Sequence, residues 1–405
     1  METTNTPDAG KQSGLELASS TRDAFRETFG SEPLMVFSPG RINLIGEHVD
    51  YNEGVVFPAA VDQGIYVALG LASSGKDCHA ITRNFGEEFR FKPSGLKALP
   101  DGGWRNYVIG VVAELEKRGH PVAPFNLMIA GNLPQGGGMS SSAALENGIV
   151  YGLNTLFTLG LDRMDMVRVS LDAEHHYAGV QCGIMDQYAS MFGVKDHFLL
   201  LDCRTLEAEA VQIDLQGHEL FLINTRVQHS LASSTYNERR ALCDRTAAAL
   251  GVPALRDASL EALKALQREG RLSAEEFAKV SYVLEEMART QAAAQAIRNQ
   301  DLQALGALLF ASHQGLAQKY EVSCPELDFL VEQARQAPGV LGARMMGAGF
   351  GGCTLNLVRC DASEAFTRHT REAYRNAFGH DCDILRVHLG RGTHVVESEA
   401  GYALV

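Results

Sequence analysis

Four stretches of this 405-residue chain hold side chains that could do chemistry. The first is Arg41-Ile42-Asn43-Leu44-Ile45-Gly46-Glu47-His48-Val49-Asp50, where a guanidinium, two carboxylates and an imidazole are interspersed with apolar residues. Ile42, Leu44 and Ile45 would anchor the segment on a core, and its polar members could converge on one ligand. Taken alone, it fits a surface loop with a salt bridge equally well. The second is Gly136-Gly137-Gly138-Met139-Ser140-Ser141-Ser142, followed by apolar residues at helical spacing from Ala143 to Phe157. Glycine lets backbone N–H groups turn toward a ligand, and a helix start adds unpaired N–H groups and the positive end of a dipole. Such a place suits phosphate. No lysine follows the last glycine, so this is not the usual P-loop. A flexible Gly/Ser linker is the alternative for the run by itself.

The third stretch pairs Glu174 with Cys182-Gly183-Ile184-Met185-Asp186-Gln187. Small and apolar residues around Asp186 suggest a buried turn entering a helix, where a carboxylate is rare unless paired. A helix cap is the plain alternative. The fourth is Gly347-Ala348-Gly349-Phe350-Gly351-Gly352 before a strand, which close packing of a loop would also explain. His175 and His176 are neighbours in sequence and point to different helix faces, which argues against a metal site.

The elements that must hold these residues follow from spacing and turn residues. Residues 1–14 read as a disordered tail and 15–29 as a helix closed by Gly30. Met35–Phe37 is a short strand, and the turn residues after it suggest a loop. Residues 55–71 read as strand, turn, strand, and 78–95 continue in extended form. A helix opens at Trp104. The strand 125–130 runs into the glycine–serine loop and its helix. Asp162 caps a helix over 163–178. Residues 197–203 are a buried strand, and from 254 to 320 the chain is mostly helical, with a Ser273/Glu276 capping box. A helix over 325–336, the glycine cluster, a strand, a helix over 362–377 and a last strand complete the order. A boundary near 195 divides 1–195 from 196–405, and the last strand has the option of returning to the N-terminal domain.

Composition narrows the class. Net charge is −13, from 36 basic and 49 acidic residues, which disfavours nucleic acid and acidic membranes as partners. The eight cysteines form no CxxC pair, so free thiols in a reducing cytoplasm are expected. No apolar run is long enough to span a membrane, and the polar N-terminus is not a secretory signal.

Together these residues resemble the GHMP small-molecule kinases, and within them the galactokinases. Pro39 to Asn52 is similar to that family's sugar-site motif, Gly136–Ser142 to its phosphate loop, and Gly347–Gly352 to its C-terminal glycine motif. Gly183–Gln187 and Ser234–Asn237 also match. The likeness spans roughly residues 20–395. It departs at Ser38, Met139 and Ala144, where alanine, leucine and serine are common, and none of these removes a needed polar atom. The resemblance implies an α+β, two-domain fold. Its N-terminal domain is α/β, its C-terminal domain is ferredoxin-like, and the site lies in the cleft. It implies catalytic roles for Asp186 and Arg41, which flank the reacting hydroxyl. Glu47, His48, Asp50, Gly183 and Tyr236 would bind the sugar. Gly136, Gly137, Gly138, Ser140 and Ser141 would wrap the ATP phosphates, with Trp104 and Tyr107 near the adenine. Ser142 and Glu174 would coordinate Mg2+. The implied reaction is transfer of the ATP γ-phosphoryl to the 1-hydroxyl of D-galactose, the entry to the Leloir pathway, by a monomer. Kinases for N-acetylgalactosamine or arabinose, and a non-catalytic galactose/ATP-binding regulator, are the alternatives. The resemblance implies that such regulators lack a Ser–Ala pair in the phosphate loop, and here Ser141-Ser142-Ala143-Ala144 is intact.

Overall fold

The computed structural model describes residues 14–73, 75–134, 136–228 and 232–397. The expected tail lies outside them, Gly14 excepted. The N-terminal half contains strands β1 (Leu34–Asn43), β2 (Val55–Val56), β3 (Pro58–Leu71), β4 (Cys78–Thr82), β5 (Glu87–Phe91) and β6 (Phe125–Gly131). Its helices are α1 (Gly14–Phe29), α2 (Trp104–Lys117), α3 (Ser141–Phe157), α4 (Arg163–Ala173) and α5 (Met185–Phe192). The C-terminal half adds β7 (Phe198–Asp202), β8 (Ala208–Val211), β9 (His218–Gln228), β10 (Val340–Met346), β11 (Gly351–Arg359), β12 (Asp383–Arg386) and β13 (His394–Val395). Its helices are α6 (Ala232–Leu250), α7 (Leu260–Arg268), α8 (Ala274–Arg298), α9 (Leu302–Gly315), α10 (Pro325–Gln336) and α11 (Ser363–Phe378).

A six-stranded mixed sheet, β13-β1-β3-β6-β4-β5, organises the N-terminal half. Val67, Leu69, Leu127 and Ile129 on one face are buried against Val108 and Val112 of α2, Ile149 and Leu153 of α3 and Val167 of α4. The opposite face, with Phe37, Tyr66 and Met128, is covered by Ala18 and Phe25 of α1. The C-terminal sheet is antiparallel in the order β10-β11-β9-β12. With helices between β9 and β10 and between β11 and β12, this is the ferredoxin-like arrangement expected. A small sheet, β2-β7-β8, pairs Val55–Val56 with residues beyond position 195. β13 pairs with β1, so the chain returns to the first sheet after β12. Among the described residues no helix is long and apolar enough to cross a membrane.

Three readings need correction. Ser38-Pro39-Gly40 does not turn: β1 continues through it to Asn43, with a register shift between Pro39 and Arg41. That irregularity re-aims the following side chains without ending the strand. Residues 58–71 form one long strand, with no turn at Gly64. Gly64 instead marks a close crossing, since a Cβ there would lie 2.4 Å from the Ser38 carbonyl oxygen. The helix expected over 163–178 is α-helical only to Ala173 and continues as a π-turn over Glu174–Ala178. The Asp162 cap and the Ser273/Glu276 capping box form as expected.

Candidate active site

The four stretches meet at one cavity of about 290 Å³. Arg41, Glu47, His48, Asp50, Gly136–Ser142, Glu174, Asp186, Tyr236, Gly347 and Ala348 all reach its wall. Arg41, near the end of β1, is almost fully buried. Its Nε donates to Asp186 Oδ1 and its Nη2 to Oδ2, both at 2.8 Å, a bidentate pair of fixed geometry. Asp186, in the first turn of α5, is held again by the Ser140 hydroxyl. Arg41 also donates to the Gly138 carbonyl, tying the pair to the glycine loop.

That loop approaches the C-terminal half backbone to backbone. Gly138 has φ +65°, and a Cβ there would lie 3.0 Å from the Met346 carbonyl oxygen. Only glycine satisfies both demands without strain. Ser140 precedes α3 in the left-handed region and makes no side-chain cap. The first N–H groups of α3 therefore keep their capacity to meet an anion.

Glu174 opens the π-turn after α4, and π-turns are frequent where a side chain must be presented to a site. Gln187 Nε2 donates to its Oε2 at 2.7 Å, and Asn147 in turn holds the Gln187 carbonyl at 2.8 Å. Burial, and secondarily the Asp186 charge, raises Glu174 to about 7, while Ser142 opposes the rise. One hydroxyl and one carboxylate beside the loop form an oxygen set that fits Mg2+, which takes few protein ligands and completes its shell with water and phosphate. Among the described residues no cluster of three or more His, Cys, Asp or Glu forms a closed metal cage. His175 bonds the Cys182 carbonyl and His176 contacts Glu114, on separate surfaces.

On the opposite wall, Glu47 Oε1 accepts from the Gly347 amide at 2.8 Å. His48 uses both ring nitrogens within the protein. Nδ1 bonds the Tyr51 hydroxyl at 2.9 Å and Nε2 the Ala348 carbonyl at 3.2 Å, so this carbonyl fixes Nε2 as the donor. Burial lowers His48 to about 4, and the ring is neutral. It reaches the cavity wall with both ring nitrogens already engaged within the protein. His48 packs against Tyr236, the rings tilted by 40° at 5.2 Å, and shapes the wall. Gly183, unlike His48, does not line the cavity and packs beneath Asp50. Trp104 and Tyr107 line a neighbouring, more apolar cavity of about 490 Å³ that shares Ser141 and Ser142 with the first. Trp104 Nε1 donates to Glu87 at 2.8 Å there.

Several contributors had little or no sequence signal. Gly347 N and Ala348 O act through the backbone, which side-chain chemistry cannot reveal. Gln187 stood in a recognised motif but without a role. Glu146 is fully buried on α3, with neither carboxylate oxygen partnered among the described residues. Burial, and then Glu174, holds its carboxyl well above the usual range. Its position inside an apolar helix pattern was the available clue.

Residues 106–194 match the GHMP kinases N terminal domain and residues 293–376 the GHMP kinases C terminal domain. The fold and the site thus define a GHMP small-molecule kinase. Residues 23–71 match the galactokinase galactose-binding signature, a stretch that holds Arg41 to Asp50. The chain belongs to the galactokinase family. It is 39% identical to Thermotoga petrophila galactokinase over 363 residues, covering 90% of this chain and all of that one. It is 42% identical to human galactokinase over 370 residues, covering 89% and 92% of the two chains. The crystal structure of Lactococcus lactis galactokinase complexed with galactose superposes with a TM-score of 0.88 at 35% identity, over 93% of this chain and 99% of that chain. Methanococcus jannaschii mevalonate kinase, at 16% identity and a TM-score of 0.63 over 89% of this chain and 99% of that one, shares the fold.

Proposed function

We propose that the chain transfers the γ-phosphoryl of ATP to the 1-hydroxyl of D-galactose, giving galactose 1-phosphate and ADP. The observation that carries this is the Arg41–Asp186 pair, set between a phosphate-type loop and the Glu47/Asp50 wall. Phosphoryl transfer relies on positioning and charge neutralisation more than on covalent help. Arg41 and Ser140 together hold Asp186, and Oδ1 accepts from Arg41 alone among the described residues. Oδ1 keeps acceptor capacity for the sugar 1-hydroxyl and takes its proton as the bond to phosphorus forms. Arg41 lies beside the transferring group as a permanent positive charge. Loop N–H groups and the α3 N-terminus receive the phosphates. When bound at Ser142 and Glu174, Mg2+ supplies further charge neutralisation on the phosphate oxygens. Trp104 and Tyr107 offer flat apolar surface for the adenine.

Sugar choice follows from acceptors. Glu47 and Asp50 pair with sugar hydroxyls, and an epimer that misplaces one leaves a carboxylate unpaired, at about 1–3 kcal/mol per group. Steady-state assays with ATP and Mg2+ across galactose, N-acetylgalactosamine, arabinose and glucose test the reading. Galactose is expected to give the highest kcat/KM, and a clear preference for another sugar refutes the assignment. All eight cysteines are free, in keeping with a reducing cytoplasm.

The sugar wall also sets a pH dependence. Burial, then the Asp186 charge, raises Asp50 from 3.8 to about 7. A raised folded-state pKa contributes stability below 3.8 that is lost as pH rises through about 7, so this group favours the ligand-free protein at acid pH. Sugar binding has the opposite preference, because a protonated Asp50 loses an acceptor. Galactose kcat/KM is expected to fall as pH drops through about 7, and Asp50→Asn to remove the Asp50 share of that limb while the share of Glu174, also near 7, remains. Matching pH profiles in the two proteins would remove Asp50 from the role.

A further inference from the structure

The sugar-site segment belongs to the N-terminal half, but the C-terminal half holds its backbone. Arg344 on β10 has no exposed surface. Its Nη1 donates to the Asn43 carbonyl at 2.8 Å and to the Leu44 carbonyl at 3.2 Å. Its Nη2 stands 3.0 Å from Glu47 Oε1, the oxygen that also accepts from Gly347 N. From α8, Glu286 Oε1 accepts from Gly46 N at 3.0 Å and from Ser312 at 2.7 Å, while Arg289 pairs with Oε2 at 2.7 Å. Tyr282 donates to the Glu47 carbonyl at 3.1 Å.

Stability alone is a poor reason for this arrangement. Buried ion pairs are commonly replaceable by apolar residues without loss, because desolvation offsets their attraction. Neither Arg344 Nε nor Nη2 has a hydrogen-bond partner among the described residues, so Nη2 meets Glu47 as an ion pair without hydrogen-bond alignment, a further penalty. What the guanidinium uniquely provides is a rigid fork that joins the end of β1 to the Glu47 carboxylate. Oε1 accepts from Gly347 N and is ion-paired with Arg344, and no protein hydrogen bond claims Oε2 among the described residues.

We propose that Arg344 is a positioning residue for sugar selection: it fixes the Glu47 carboxylate so that Oε2 meets one sugar hydroxyl at a set position. The inference rests on Glu47 as a sugar ligand. Arg344 does not line the cavity, and its effect on sugar choice passes through Glu47.

The test uses the full chain, D-galactose and its 2-, 3-, 4- and 6-deoxy analogues. Arg344→Met is expected to raise the galactose KM about 10–100-fold while the ATP KM stays within about twofold. One deoxy analogue, the one for which Glu47→Gln is also silent, is expected to show no added penalty. The double variant is expected to be no worse than Glu47→Gln alone. Arg344→Lys keeps the charge but cannot span both carbonyls and carboxylate. It is the variant to use if Arg344→Met does not fold, with a galactose KM raised about 3–30-fold. Parallel rises in both KM values, or an equal penalty on every analogue, would overturn the proposal. A normal galactose KM in Glu47→Gln removes Glu47 as ligand and the proposal with it. A raised KM in Glu47→Gln with normal values in both Arg344 variants removes the proposal alone.

Discussion

Asp186→Ala is expected to lower kcat about 10²–10⁴-fold, the range for removing a general base, with the protein still folded. Asp186 is the one carboxylate bound bidentately to Arg41 and also held by Ser140. Removing it takes away the proton acceptor and frees Arg41 to reorient. Arg41 is 4% exposed, and breaking a buried pair by deleting one partner can cost about 3–5 kcal/mol. The Asp186 side chain, however, is 23% exposed at a cavity mouth, so water can reach the guanidinium and the penalty falls short of that range. Asp186→Asn separates the two effects. It retains one oxygen for Arg41 and nearly the same volume but lacks the base, so it should match alanine in kcat and exceed it in Tm. Steady-state kinetics with thermal denaturation of both variants provides the measurement. Turnover within about tenfold of the parent in either would take proton acceptance away from Asp186.

The second large effect is expected at Gly183, which bears no functional group. A Cβ at this position would sit 2.2 Å from Asp50 Oδ2 and 2.7 Å from Tyr51 N. Neither can yield cheaply, because Tyr51 is tied through its hydroxyl to His48 and to Tyr320 at 2.9 and 2.7 Å. Gly183→Ala should displace the Asp50 carboxylate and raise the galactose KM about 10–100-fold, with little change in ATP KM. In an Asp50→Asn background the same substitution should add far less, since both changes act on one contact. Full additivity would show that Gly183 works by another route.

These two residues also show what the sequence could and could not convey. Asp186 was legible because a carboxylate amid small and apolar residues needs a partner, although nothing in its spacing pointed to Arg41, 145 positions away. Gly183 was assigned a place at the sugar through resemblance alone; its geometry is that of a floor beneath Asp50. His48 was read as a sugar ligand because imidazole can donate and accept; that Tyr51 and Ala348 engage both its nitrogens is a tertiary fact the sequence did not convey. Periodicity located the long helices, because apolar stripes follow from local geometry. It failed at Pro39-Gly40 and Gly64, where turn-type residues serve a register shift and a close crossing of strands. Those are tertiary facts with no local signature. The π-turn at Glu174 is likewise invisible to a 3.6-residue period.

The pairing of β13 with β1 bears on how the molecule is made. Val36 and Phe37 meet Val395 and His394, and Thr393 bonds Ser38 at 2.9 Å beside Ser190. The first sheet therefore waits until residues 393–395 have been synthesised, long after β1, before its outer edge is closed. Until residues 393–395 emerge, β1 presents an unpaired edge, the kind of template that invites association with another chain. Loss of residues 393–395 would strike the sheet that carries Arg41, at Ser38, two residues from Gly40 and three from Arg41.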